Sequence, residues 1–405
     1  MWEGRELGNV ELIPEPSDYR ILSAADSATI GHQEGWRSEV LGWAPTPVPV
    51  VSRPKRLRQR LISTGFFLIL IVIMWAVWRS QLLFIEIPPA KSEWAFEDSG
   101  ARDLQSMGYT GDGIRVCMVD TGIDPSHSDL ESIDLIFKDF ITGSNQISDQ
   151  GSLAHGTMMA GILVSDGYLK GVAPDVTLGM AAALGDDGNG GNSGDQNVVA
   201  SAIEWCWKTF EANIISLSLG GESDPNATSD GPTSNAVKQA LANGVYVVAA
   251  AGNDGGPDDD GRVATPSDVA GVISVGALDI NGDIWEGSSL GYTNAESSEI
   301  YQDPNKKPEI SAPGVSIVST AFDDEYYSST GTSDATVFVS GILALILEAY
   351  PEIINPTEDC ISQVKTALMN SAVPLENGIE HDSRWGYGAI DGKGWLNQIQ
   401  SSVAC

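Results

Sequence analysis

Asp120, His155 and Ser333 are the residues of this chain whose types and order suit cleavage of an acyl bond. A serine hydroxyl is a weak nucleophile and needs a general base to take its proton. Histidine suits that role, and only four histidines occur in the chain. The imidazole in turn needs an acid that fixes its tautomer and stabilises the imidazolium. Asp120 ends the apolar run IRVCMV and opens DTGID. His155 opens HGTMMAGIL, and Ser333 follows Gly-Thr at the head of GTSDATVFVSGILALILEAY. Each has a plainer reading alone. Asp is common in turns, a histidine at a helix start is more often structural, and a serine there is an ordinary N-cap. The combination decides. Asp, His, Ser is one of the known chain orders of a catalytic triad. A serine oxygen at a helix N-terminus also has the positive end of the helix dipole beside it as charge develops. Asn253, in VVAAAGNDG, follows a buried strand and can offer its amide to an oxyanion.

The surrounding pattern has to hold these groups together. Apolar runs of strand length alternate with helical stretches: IRVCMVD, the segment after His155, VTLGMAAAL, VVASAIEWCWKTF, IISLSL, AVKQALANG, VYVVAAAG and GVISVGAL. This alternation predicts an α/β domain over residues 96–400, with a mostly parallel central sheet covered on both faces by helices. Chemistry in such a fold sits at the carboxyl ends of the strands.

The N-terminal part has another character. Residues 1–60 show no sustained periodicity, contain the Pro-rich APTPVPV, and read as a largely unstructured cytoplasmic tail. Residues 61–79 read as one transmembrane signal anchor: LISTGFFLILIVIMWAVW is uncharged and Arg79 follows it. A buried core helix is the poorer reading, because the flanks offer nothing to cover so uniform a surface. A cleaved signal peptide is disfavoured by about sixty preceding residues and by bulky Trp78 where small residues mark cleavage. Arg53, Lys55, Arg56, Arg58 and Arg60 place the preceding side in the cytoplasm and the catalytic domain outside. Residues 80–95, with Pro88 and Pro89, form a tether.

Charge separates the two parts further. Residues 1–90 hold nine basic and nine acidic residues, so of the totals of 22 and 55, 13 basic and 46 acidic remain for residues 91–405. The whole excess of -33 lies there. Such a surface is soluble and repels nucleic acid and anionic lipid. The four cysteines match no zinc spacing and include no CxxC pair. Cys117, in an apolar run, and Cys206, between two tryptophans, read as small buried hydrophobes, whereas Cys360 and Cys405 are able to pair in an oxidising compartment.

VDTGID, HGTMMAG, SLSLGG, VVAAAGN, SAPGVSIVST and GTSDATVFVSG occur in the order and approximate spacing of the subtilisin-like serine proteases. The resemblance covers about residues 95 to 398, including WGYGAIDG, and implies the three-layer subtilisin-like fold. It implies that Asp120, His155 and Ser333 are the triad, and that the side chain of Asn253 and the N–H of Ser333 form the oxyanion hole, supported by Thr332. Ser218, Leu219 and Gly220 resemble the strand that pairs with bound peptide, and Gly188 to Gly191, including Gly190, resemble the facing strand. Ala264 matches the base of the primary specificity pocket and Asp254 its rim, while Thr265-Pro266 matches a dipeptide that is cis in the family.

This chain also departs from the pattern. Asp334 replaces the usual Met after the nucleophile and favours the protonated form of a nearby imidazole, which points to a higher pH optimum. Val337 and Phe338 replace the usual Pro and His. Asp129 matches a family calcium ligand, but the loop after His155 is short and its partners are missing, so no metal site is predicted. About fifteen residues separate the span from the domain, too few for a folding propeptide of the usual size. The expected function is a monomeric serine endopeptidase that cuts extended polypeptides through an acyl-enzyme on Ser333 and requires no cofactor. Its rivals are a catalytically dead peptide-binding homologue and a peptide ligase or transpeptidase.

Overall fold

The computed structural model describes residues 53–79, 91–221, 230–257, 259–291, 302–374 and 380–405. The expected tail up to residue 52 and residues 80–90 of the expected tether lie outside the described residues. The chain divides into two units, residues 1–87 and 88–405.

The first unit contains one described helix, α1 (Arg53–Arg79), of 27 residues. At 1.5 Å per residue it is about 40 Å long. Leu61, Ile62, Phe66, Phe67 and Ile69 on it are between 60% and 65% exposed. Apolar side chains at these spacings point all round the helix, not along one stripe.

The second unit begins with two short helices, α2 (Glu93–Asp98) and α3 (Ala101–Ser106). Then come β1 (Arg115–Asp120), β2 (Asp134–Asp139), α4 (His155–Val164) and β3 (Thr177–Ala182). A small hairpin, β4 (Gly185–Asp186) and β5 (Asn192–Ser193), leads to α5 (Gln196–Lys208), β6 (Ile214–Leu217), α6 (Pro232–Ala242) and β7 (Tyr246–Ala250). β8 (Ile273–Leu278) and β9 (Ile310–Pro313) complete the large sheet. The antiparallel pair β10 (Val315–Thr320) and β11 (Tyr326–Thr330) precedes the long α7 (Thr332–Ala349). α8 (Glu358–Ser371) and α9 (Gly392–Ser402) close the chain.

The sheet has seven strands in the order β2-β3-β1-β6-β7-β8-β9, all parallel. Every residue of β6, β7, β8 and β9 is buried. Successive strand residues point to opposite faces, so both faces of these strands are covered. α7 is apolar and long enough to cross a membrane, yet 83% of it is buried inside the domain, where it packs against β6 to β9 as a core helix. The strand order reverses at β1, with β3 on one side and β6 on the other. The carboxyl ends of strands flanking such a reversal form a natural crevice.

One cysteine expectation is corrected. Cys117 and Cys206 are not separate thiols but a fully buried disulfide with Cα atoms 5.7 Å apart. Cys117 lies on β1 and Cys206 on α5, so the bond joins the strand ending in Asp120 to a covering helix. Their 89-residue separation hides that contact from any local reading of the sequence. Cys360 and Cys405 pair as well, with Cα atoms 5.6 Å apart.

A charged cluster lies under the sheet's β8–β9 edge. Glu309, 1% exposed, accepts from Lys307 Nζ at 2.9 Å, Lys365 Nζ at 2.7 Å and the Ser274 N–H at 2.8 Å. Both ammonium groups also donate to the carbonyl of Val272. Burial pushes both lysines down, Lys365 to about 8, although the Glu309 carboxylate opposes the shift.

Candidate active site

β1, β6 and β7 are neighbours, and their carboxyl ends bring three sequence motifs to one crevice. Asp120 is the last residue of β1 and is fully buried. Ser218 follows β6, and Asn253 lies three residues beyond the end of β7. His155 starts α4 and Ser333 is the second residue of α7. His155, Ser218, Leu219, Gly220, Asn253, Asp254, Ala264 and Ser333 all line one cleft.

His155 Nδ1 lies 2.7 Å from Asp120 Oδ1, which also accepts the Thr121 N–H at 2.7 Å. A proton on Nδ1 leaves Nε2 as the free base. Burial disfavours the imidazolium, but the charge and hydrogen bond of Asp120, with the charges of Asp334 and Asp149, outweigh it and raise His155 to about 9. The imidazole is still 26% exposed and opens to the cleft. Asp334, 1% exposed, is raised to about 7 because burial penalises its charge; the Ser329 hydroxyl, which donates to it, and His155 act against the rise.

Ser333 is 8% exposed. Its hydroxyl donates to the carbonyl of Ser218 at 3.2 Å, and the Ser218 hydroxyl donates to the carbonyl of Ser333 at 3.1 Å. Asn253 Oδ1 accepts from the Thr332 N–H at 3.0 Å and from the Thr332 hydroxyl at 2.8 Å. With its oxygen held on Thr332, the amide keeps Nδ2 available as a donor. The free helix N–H groups at Ser333 and this amide together can stabilise an oxyanion.

Gly220 sits against Ala264; a Cβ at Gly220 would lie 2.6 Å from the Ala264 Cβ. Gly221 and Thr265 exchange backbone hydrogen bonds of 3.0 and 2.9 Å, which holds the 218–221 segment as one wall of the cleft. Asp254 accepts from the Ser289 hydroxyl. The Thr265-Pro266 bond is cis.

Residues 111–388 match the Subtilase family. The chain belongs to the subtilase family. It is a subtilisin-like serine endopeptidase. Subtilisin DY of Bacillus licheniformis is 35% identical over 279 residues, 68% of this chain and 89% of that protein. The major intracellular serine protease of Bacillus subtilis (strain 168) is 34% identical over 288 residues, 68% and 81% of the two chains. The serine protease AprX of the same strain is 32% identical over 326 residues, 73% and 70%.

One sequence expectation for this subtilase is placed differently. Gly188 and Gly190 do not line the cleft. They lie with positive φ of 74° and 88° at the turn between β4 and β5, with open space around them. Leu184, Asn192, Ser193 and Gly194 face the cleft on that side instead. The run of small residues is longer than the turn needs, so motif spacing picked the tip and not the stem of the hairpin. Asp129 does not suit a calcium ion. Its Oδ1 accepts the Tyr168 N–H at 2.7 Å, and its Oδ2 accepts the Leu169 N–H at 2.8 Å and the Tyr326 hydroxyl at 3.0 Å. Hydrogen-bond donors surround this carboxylate, and donors repel a cation. Among the described residues no group of three or more His, Cys, Asp or Glu side chains is placed to hold a metal.

Sequence reasoning missed Asp149, Thr121 and Thr157, which tie the Asp120 turn to the start of α4. Thr121 and Thr157 stand inside the DTG and HGT motifs, where their conspicuous neighbours draw attention first. Asp149 lies in a loop with no periodic signal.

Proposed function

We propose that the protease acts through Ser333 as nucleophile and His155 as general base, then general acid, with Asp120 holding the imidazole. Asn253 and the Ser333 N–H serve as the oxyanion hole. The observation that carries this reading is the 2.7 Å contact of His155 with buried Asp120, in the same cleft as Ser333 at the start of α7. Substrate is an extended polypeptide segment laid along Ser218–Gly220, with its side chain before the cut directed toward Ala264. All these groups come from one chain, so a monomer suffices, and no step calls for a cofactor.

The same proposal places the catalytic unit, residues 96–400, outside the membrane, with residues 61–79 as its anchor, 80–95 as tether and 1–60 in the cytoplasm. The uncharged run of residues 61–78 in α1, the basic residues at the N-terminal end of that helix and two disulfides in the catalytic unit support this arrangement. Disulfides persist in oxidising compartments.

Ser333→Ala should abolish peptide hydrolysis and fluorophosphonate labelling while leaving the fold intact; full hydrolysis by purified Ser333→Ala protein would sink the assignment. Wild-type protein that labels but never cleaves casein would favour the transferase reading, and protein that neither labels nor cleaves would favour the dead one. In intact cells, added protease should digest the catalytic unit and spare an N-terminal tag; the reverse pattern would overturn the topology.

A further inference from the structure

We propose that Asp149 is a positioning residue for proton transfer at His155, clamping the start of α4 to the turn that carries Asp120. This rests on the reading of His155 as the base. Asp149 lies in the loop before α4, where its backbone bridges to Gly122. All four in-plane acceptor positions of its carboxylate are used. Oδ1 accepts the Thr121 hydroxyl at 2.6 Å and the Gly151 N–H at 2.9 Å. Oδ2 accepts the Thr157 N–H at 2.8 Å and the Thr157 hydroxyl at 2.7 Å. The two threonines extend the clamp. The Thr121 hydroxyl accepts the Gly156 N–H at 2.8 Å, and the Thr157 hydroxyl accepts the Asp124 N–H at 2.9 Å. Thr121 and Asp124, in the turn that follows Asp120, are thereby joined to the two residues that follow His155.

The local backbone explains why the carboxylate comes from outside the helix. The first N–H groups of a helix have no intrahelical partner. The residue before His155 is Ala154, which has no side-chain acceptor, and Leu153 and Ala154 are both left-handed with φ of 55° and 58°. No neighbour can therefore cap α4, and Gly156 and Thr157 are buried away from water. Asp149 and Thr121 take the N–H groups of Thr157 and Gly156. The fit is tight, since a Cβ on Gly156 would collide with the carbonyl of Gly122. A carboxylate at this position also complements the helix dipole.

The clamp acts on geometry and on charge. A displaced reacting group can cost about a hundredfold in rate for about 1 Å. The charged groups facing His155 are Asp120 at the end of β1, Asp334 in α7 and Asp149 in the loop, and each favours the imidazolium. Removing one of them must lower the pH at which the imidazole becomes a free base.

The test is Asp149→Asn in the full chain, with kcat and KM measured from pH 6 to 10 per fluorophosphonate-reactive site. Asn cannot accept from all four donors and carries no charge. The expected result is a kcat lower by about tenfold to a hundredfold, KM within about twofold, and an acid limb moved to lower pH. Normalising to labelled sites removes any loss of folded protein. If Asp149→Asn does not accumulate in folded form, Asp149→Ser, which keeps a capping oxygen without charge, is read in the same way. An unchanged kcat and an unchanged acid limb per labelled site, whatever the melting temperature, would overturn the proposal and leave Asp149 a cap of stability alone. Labelling of wild-type protein at a residue other than Ser333 would instead remove the reading on which the proposal rests.

Discussion

Replacing Glu309 with Gln should expose how much the domain depends on its buried charge cluster. The substitution keeps the shape of the side chain and removes the carboxylate that both Lys307 and Lys365 contact. Lys307, Glu309 and Lys365 are all within 2% of complete burial, so water cannot compensate the two ammonium groups. Breaking a buried ion pair by removing one partner costs about 3–5 kcal/mol. A catalytic unit of about 300 residues unfolds with an entropy of about 0.6 kcal/mol/K, so that cost corresponds to a fall in Tm of about 5–8 °C. The lysines can shed the strain by releasing protons. Burial already holds Lys365 at about 8, below its ordinary 10.5. Its contribution to stability is therefore present in full above the unfolded value and lost as pH falls through about 8. Without the carboxylate, deprotonation in the folded state becomes easier still, so the deficit of Glu309→Gln should shrink between pH 7 and pH 10. Calorimetry on the Ser333→Ala background avoids autolysis. A fall in Tm of less than about 2 °C at pH 7, or a deficit that grows with pH, would refute the reasoning.

Other outcomes follow from the cleft and the surface. His155 must be neutral to act as base, so kcat/KM should climb through an acid limb above the ordinary histidine value, toward about 9; Asp334→Asn should lower that limb by about half a unit to one unit, and an unmoved limb would remove Asp334 from the proton balance. Asn253→Ala should keep fluorophosphonate labelling of Ser333 but reduce kcat by about 10²–10³; a loss under about fivefold would exclude its amide from the oxyanion hole. Asp129→Ala should lower Tm, and calcium should shift wild type and variant equally, whereas a calcium-dependent gain confined to wild type would show that the carboxylate binds the ion. With 46 acidic against 13 basic residues in positions 91–405, Tm should rise between about 0.1 M and 1 M potassium chloride; a flat or falling Tm would reject self-repulsion as a destabilising load.

The sequence carried the groups at the strand and helix ends well. Asp120 and Asn253 sit where apolar runs stop and His155 and Ser333 where they start, and runs of that kind are local signals. Cys117 and Cys206 show the limit: each looks like a core residue on its own element, and only the packing of α5 on β1 makes them partners. Glu309 is similar, because Lys365 lies 56 residues further on and nothing in either segment announces the meeting. Gly188 and Gly190 mark another boundary, since glycine spacing signals a turn without saying which residues flank the cleft. Asp149 was illegible because its role is to serve a helix whose own preceding residues have no acceptor to offer.

The hydroxyl of Ser333 has a single proton, and in the free enzyme that proton is committed to the Ser218 carbonyl. The imidazole has nothing to accept until the side chain turns about its Cα–Cβ bond. Such a turn takes picoseconds to nanoseconds and cannot limit turnover. It sets a population instead. A neutral hydrogen bond contributes about 0.5–1.5 kcal/mol net, so the rotamer aimed at the base holds a minority of about 7–30% if nothing else favours it. A peptide lying along Ser218–Gly220 changes the surroundings of that carbonyl, whereas a small electrophile drifting into the cleft does not. On the proposed reading of Ser333 as nucleophile, the resting rotamer would make it less reactive toward stray electrophiles than toward a seated substrate, a selectivity arising from torsional occupancy and from no additional binding contact.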